Sequence, residues 1–322
     1  MPFLRNVTAG RGVPDERLAR VAEHYYLFGG VSPINAQNRE LIGAIEKDFA
    51  ASGLDLAVYW GNRNWAPYLA DTMRELAQDG VTRVIALATS AYSSFSSCRQ
   101  YLDDLDRARA SVGADAPAVI KIPPYYRHPG FTESFASSAA RALERLPGAD
   151  LVFTAHSIPM SMAASSGPGG DAYAAQLAEV AELVAARLGR AGDWRLAYQS
   201  RSGPPSVPWL GPDINDCLGE LAAGGSEGAC LIPIGFVSDH MEVRFDLDAE
   251  AAQTAERLGL PMVRAATPGT DPRFVAMITE LARAYAEERA ADVIAGLGPE
   301  AASFCTEACC GSGSDRSAGW LR

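Results

Sequence analysis

Seven short apolar runs recur along the chain, at 55–60, 83–90, 118–122, 150–155, 194–199, 229–236 and 261–265. Their Val, Ile and Leu residues stand on consecutive positions, as in strands buried on both faces of a parallel sheet. Amphipathic patterns of helical period separate them, clearest at 37–51, 66–78, 171–188 and 274–297. This βαβα order predicts an open α/β architecture. The stretch PPYYRHPG at 123–130 interrupts it and marks a boundary between two similar halves, 1–122 and 123–297, followed by a Cys-containing tail at 298–322. A helix expected around 15–28 has no strand before it, so the first half is expected to lack an edge or central strand.

Charge and composition exclude several classes. Lys plus Arg number 28 against 39 Asp plus Glu, a net charge of −11, whereas nucleic acid calls for a basic face. Only Lys47 and Lys121 are lysines, and neither ends a Gly-rich loop of the phosphate-binding kind. No GxGxxG follows a strand, which leaves a dinucleotide without support. The motif GGSEG at 224–228 imitates a nucleophile elbow, but it precedes a strand and so misplaces Ser226. No run approaches a spanning helix and no signal peptide opens the sequence, so the expected location is cytoplasmic and the expected state a soluble monomer.

The chemistry-bearing residues gather where apolar runs end, and in an open parallel sheet those ends form the ligand crevice. His156 follows the run at 150–155 within VFTAHSIP (152–159). A satisfied core histidine is the alternative reading. His240 stands at the end of another run, in IPIGFVSDHMEVRFDLD (232–248), with Glu242, Asp246 and Glu250 spaced by four. On a helix those carboxylates stack on one face, where mutual repulsion suits a cation path or proton relay, or else they form a solvated acidic face. The segments HYYLFGGVSPIN (24–35), YWGNRNWAPY (59–68), TSAYSSFSSCRQY (89–101) and YQSRSGPPSVPWL (198–210) add aromatics, hydroxyls and Arg, the lining of a deep cleft for a flat, partly anionic ligand. Cys305, Cys309 and Cys310 crowd six residues of the tail and read either as soft-metal ligands or as unremarkable thiols.

Taken together, these segments resemble the ferrochelatase family of its actinobacterial type, which inserts Fe²⁺ into a porphyrin. The resemblance implies two Rossmann-like, chelatase-type domains with parallel sheets and a porphyrin cleft between them, the last helix packing back on the first half. It implies that His156 and Glu242 are catalytic and face the macrocycle from opposite sides, a nitrogen base and a carboxylate receiving the two pyrrole protons. Asp239 and His240 would orient Glu242, and Asp246 and Glu250 would join His156 and Glu242 in guiding the metal. The implied substrate is coproporphyrin III, with protoporphyrin IX or a non-catalytic tetrapyrrole carrier as alternatives. Ser32, Tyr101, His24 and Arg11 would anchor its propionates. A [2Fe–2S] cluster on Cys98, Cys305, Cys309 and Cys310 is implied as cofactor, and a downstream coprohaem-processing enzyme as partner. Family members begin with an apolar strand and a Ser-Phe-Gly-Gly-Pro-like turn before the position of Met1 here, so the expectation is that this chain starts about one strand late.

Overall fold

The computed structural model describes residues 2–8, 13–202, 205–294, 297 and 309–311. Two parallel sheets organise them. β1 (Arg83–Ala86) pairs with β2 (Ala118–Lys121), while β3 (Asp150–His156), β4 (Arg195–Gln199), β5 (Ala229–Ile232) and β6 (Met262–Arg264) form a four-stranded sheet in the order β4-β3-β5-β6. All ladders are parallel, in register at Val152↔Arg195, Asp150↔Ala229 and Ala229↔Met262. Consecutive apolar residues are what this geometry requires: Leu151, Val152, Phe153 and the whole of β5 are buried on both faces.

Residues 55–60 form no strand. Leu56 and Val58 pack against the main core on alternate positions, but their backbone has no ladder partner among the described residues. Burial of one face therefore exists there without a sheet edge to complete it. Accordingly the residues of β1 are only partly buried, in contrast with β3 and β5.

Helices cover the larger sheet and tie it to earlier elements of the chain. Helix Pro129–Arg145 buries Phe131 and Phe135 against Phe274 of helix Pro272–Ala286. The latter starts on a Pro at its first turn, with the Asp271 carboxylate accepting from the Arg273 N–H at 2.9 Å. It packs on helix Ile34–Ala51, where Thr279 Oγ1 donates to Asp48 and Arg283 Nη2 to the Ser52 carbonyl at 2.7 Å. The single helix expected over 274–297 stops at Ala286 because Glu288 adopts a left-handed φ of 60°, and a short helix, Ala290–Ile294, follows. Among the described residues no helix is long and apolar enough to cross a membrane.

Candidate active site

β3 ends on His156, and the segment after β5 turns back through Gly235 towards it. Gly235 N–H donates to the Thr154 carbonyl at 3.1 Å, which lays this segment directly on β3. The chain then runs through Asp239 and His240 into the one-turn helix Met241–Phe245, a π-helical turn at Asp246–Ala251, and helix Ala252–Leu258. The result is that His156 Nε2 and Glu242 Oε1 lie 3.8 Å apart, and His240 Nε2 lies 4.0 Å from Glu242 Oε2.

Hydrogen bonds assign the protons. His156 Nδ1 meets the Ser157 carbonyl, which can only accept, so Nδ1 carries a hydrogen and Nε2 is the nitrogen turned towards Glu242. His240 is the opposite: its Nδ1 accepts from the Glu242 backbone N–H at 3.2 Å, leaving the proton on Nε2. Burial lowers the His240 pKa against the attraction of Glu242. For Glu242, burial opposes ionisation, yet the imidazoles of His156 and His240 together hold it below its ordinary value. Its side chain is nevertheless half exposed, so the carboxylate is enclosed by protein but reachable. The expectation placed a macrocycle between these two groups; at 3.8 Å, as they stand here, they are in contact and leave no gap between them.

Residues unremarked as individuals in the sequence hold this pair. Tyr173, fully buried, donates its hydroxyl to the His156 carbonyl at 3.0 Å. Gln199, opposite His156 in the β3–β4 ladder, donates Nε2 to the Glu242 carbonyl at 2.8 Å, while its buried Oε1 has no partner among the described residues. Tyr25 lies within range of the Glu242 charge; burial first and that charge second push its phenol up to about 12. Tyr25 and Gln199 lie within two of the segments the sequence singles out, 24–35 and 198–210, whereas Tyr173 lies in a helix and carries no motif.

The acidic line is present and coupled. Burial pushes Asp246 up to about 7, helped by Glu242 and Glu250 and opposed by hydrogen bonds from Ser200 and Gln199. Burial likewise raises Glu250. Ser200 holds its carboxylate contact from a left-handed φ of 64°, a conformation costly for a non-glycine residue and retained here by the hydroxyl's bond to Asp246. Because the folded value of Asp246 exceeds its unfolded value of about 3.9, the native chain keeps a proton that the unfolded chain has lost, and stability from this group falls as pH rises from about 4 to about 7. Metal-free Asp246→Asn is therefore expected to lose less stability than the parent between about pH 5 and about pH 8, read as urea midpoints. Equal losses in the two chains would remove the buried carboxylate from this account.

The other expected residues are dispersed. His24 stacks on Phe245 of the Glu242 helix at 3.6 Å with an interplanar angle of 6°, and burial lowers its pKa against the attraction of Glu23. Ser32 accepts from the Ile34 N–H at 3.4 Å at the start of helix Ile34–Ala51, and Arg63 lies over the Tyr101 ring at 5.0 Å. Arg11 and Cys305 lie outside the described residues. Cys98 is buried in the π-helical turn Phe95–Arg99, with Lys121 Nζ donating to its sulfur at 3.5 Å. The Cys309 and Cys310 sulfurs are buried and 3.7 Å apart, and the Gly167 N–H donates to Cys310 at 3.2 Å. A tetrahedral metal holding sulfurs at about 2.3 Å separates neighbouring ones by about 3.8 Å, so this pair fits one metal, and an N–H bond to sulfur is what a thiolate ligand takes. Among the described residues no three His, Cys, Asp or Glu side chains are grouped to hold a metal ion.

A family model described as ferrochelatase matches residues 1–286. The chain is 51% identical over 339 residues to "Coproporphyrin III ferrochelatase" of Streptomyces coelicolor, covering 99% of this chain and 90% of that protein. It is 53% identical over 293 residues to the protein of the same name from Nocardia farcinica, covering 88% and 83%, and 51% identical over 286 residues to "Ferrochelatase" of Rhodopirellula baltica, covering 87% and 80%. Among solved structures, SirB from Bacillus subtilis with Fe³⁺ superposes with a TM-score of 0.52 at 11% identity, covering 78% of this chain and 89% of that one, a likeness of fold alone.

Proposed function

The chain belongs to the ferrochelatase family, and we propose that it inserts Fe²⁺ into coproporphyrin III to give coprohaem. The observation that carries this reading is the pairing of His156 Nε2 with the half-exposed Glu242 carboxylate at 3.8 Å. Insertion exchanges one Fe²⁺ for the two pyrrole N–H protons, so the site must accept two protons beside the entering cation. His156 Nε2 accepts one directly, and Glu242, whose charge is held ready by two imidazoles, attracts the cation and takes or passes the other. Asp246 and Glu250 continue the carboxylate line away from Glu242, and form the route by which Fe²⁺ arrives or protons leave. Ser32, Tyr101, His24 and Arg11 are the proposed propionate anchors.

The relatives named for coproporphyrin III support that substrate over protoporphyrin IX. Anaerobic Fe²⁺ insertion by the purified chain, followed by absorbance, tests the assignment: faster turnover of coproporphyrin III is expected. Faster turnover of protoporphyrin IX overturns the substrate, and tight porphyrin binding with no metallation overturns the enzyme in favour of a carrier.

Cys98, Cys305, Cys309 and Cys310 are the proposed ligands of a [2Fe–2S] cluster, supported by the spacing of the last two sulfurs and the N–H bond to Cys310. When bound, such a cluster supplies a redox-active, thiolate-held centre; Lys121 and Gly167 place positive and dipolar charge on two of its sulfurs. Iron and acid-labile sulfide in the anaerobically purified chain decide this, and absence of sulfide overturns it. We further place the protein in the cytoplasm as a monomer, divided at 1–122, 123–297 and 298–322, passing its product to a coprohaem-processing enzyme.

A further inference from the structure

The residues that do the proposed chemistry ride on a poor platform. Glu242 belongs to a one-turn helix of five residues, and Asp246 opens a π-helical turn, a geometry with weaker hydrogen bonding than the α-helix. Something outside the segment has to fix it. At the carboxyl end of β6, the edge strand of the four-stranded sheet, stands Arg264, in register with Leu231.

Its guanidinium makes two forks. Nη1 and Nη2 donate to the two Asp239 oxygens at 3.1 and 3.3 Å, while Nε and Nη2 donate to the two Asp248 oxygens at 2.5 and 3.0 Å. The remaining Nη1 hydrogen goes to the Ala265 carbonyl at 3.0 Å, so all five donors are used. Asp239 immediately precedes His240, and Asp248 closes the stretch that contains Glu242 and Asp246. One guanidinium therefore staples both ends of the segment bearing His240, Glu242 and Asp246. The staple is mostly buried, with the Arg264 side chain 15% exposed, Asp239 20% and Asp248 27%, and Arg244 adds a second cation 3.0 Å from Asp248. At that burial, bidentate charge-assisted bonds are strong and geometrically strict.

We propose that Arg264 is a positioning residue for metal insertion, acting by stapling Asp239 to Asp248 so that Glu242 and His240 are held against His156. The inference rests on the reading of Glu242 as part of the insertion chemistry. Lysine offers a single point charge and cannot fork onto two carboxylates, so charge alone should not replace the guanidinium.

The test compares Arg264→Gln and Arg264→Lys, each in the parent and in Glu242→Gln, by single-turnover Fe²⁺ insertion into coproporphyrin III and by fluorescence titration of porphyrin affinity. Arg264→Gln is expected to slow insertion about 10–100-fold, the usual cost of losing an outer-shell partner, with porphyrin affinity within about threefold. Arg264→Lys is expected to recover only part of the rate. In Glu242→Gln the Arg264 change should cost little more, because a residue acting through Glu242 has nothing left to position. Multiplying losses in that background, or full activity of Arg264→Lys, overturns the staple while leaving the role of Glu242 intact. Full activity of Glu242→Gln alone overturns the reading beneath it and the route assigned to Arg264 together.

Discussion

Replacing His156 with alanine is expected to lower the rate of Fe²⁺ insertion about 10²–10⁴-fold, the range a positioned proton acceptor contributes, with porphyrin affinity within about threefold. The loss should be large because no neighbour can substitute. His240 is the other imidazole at the site, but its Nδ1 lone pair is taken by the Glu242 N–H and its Nε2 already bears a proton. Glu242 keeps its charge through both imidazoles, so removing His156 also releases the carboxylate towards its ordinary pKa and weakens its hold on a cation. Tyr173 and Ser157 meanwhile continue to hold the strand end, which is why binding should survive. Anaerobic absorbance kinetics paired with fluorescence titration separates the two quantities. A variant retaining a third or more of the parent rate would exclude His156 as the acceptor, and parallel losses of rate and affinity would make it a packing residue.

Gly235→Ala is expected to destabilise the chain by about 1–3 kcal/mol, the cost of forcing a methyl group into a filled core. A Cβ there would stand 2.8 Å from both the Cα and the Cβ of Ala155 and 3.4 Å from the His156 nitrogen. A flexible side chain might swing away, but Ala155 is backbone of a strand locked between β4 and β5 and fully buried. The strain therefore falls on the residue before His156, and insertion should drop together with the urea midpoint. Gly235 has no left-handed φ, so the requirement is one of close approach between backbones and not of turn geometry. Ala155→Gly in the same chain should recover only part of the loss, since the Cα remains at 2.8 Å. An unchanged midpoint for Gly235→Ala would refute the close approach.

Much of this site is legible in the sequence, and the reasons are local. His156 and His240 each follow an apolar run, and a polar residue at the end of a buried strand has few places to go other than the crevice. The spacing of Glu242, Asp246 and Glu250 survives the change from α- to π-helix, which still leaves Glu242 and Glu250 close enough to raise the pKa of Asp246 between them. What is not legible depends on contacts between distant segments. Residues 55–60 have the composition of a strand, but strand formation needs a partner, and the described residues provide none. The single long helix expected over 274–297 is cut by one left-handed residue, Glu288, which is no recognised helix stop.

Arg264 shows the same division. As one arginine among many, it carries no motif, and its importance comes from Asp239 and Asp248 meeting it across the sheet edge. By itself, then, the sequence determined the periods of burial, the class of fold, and which side chains the strand ends deliver. The tertiary structure alone decided that His156 and Glu242 stand 3.8 Å apart. The reason is that local pattern sets how each residue leaves its own element, whereas the distance between two such residues is set by strand order, register and the close approach at Gly235, none of which has a local signature.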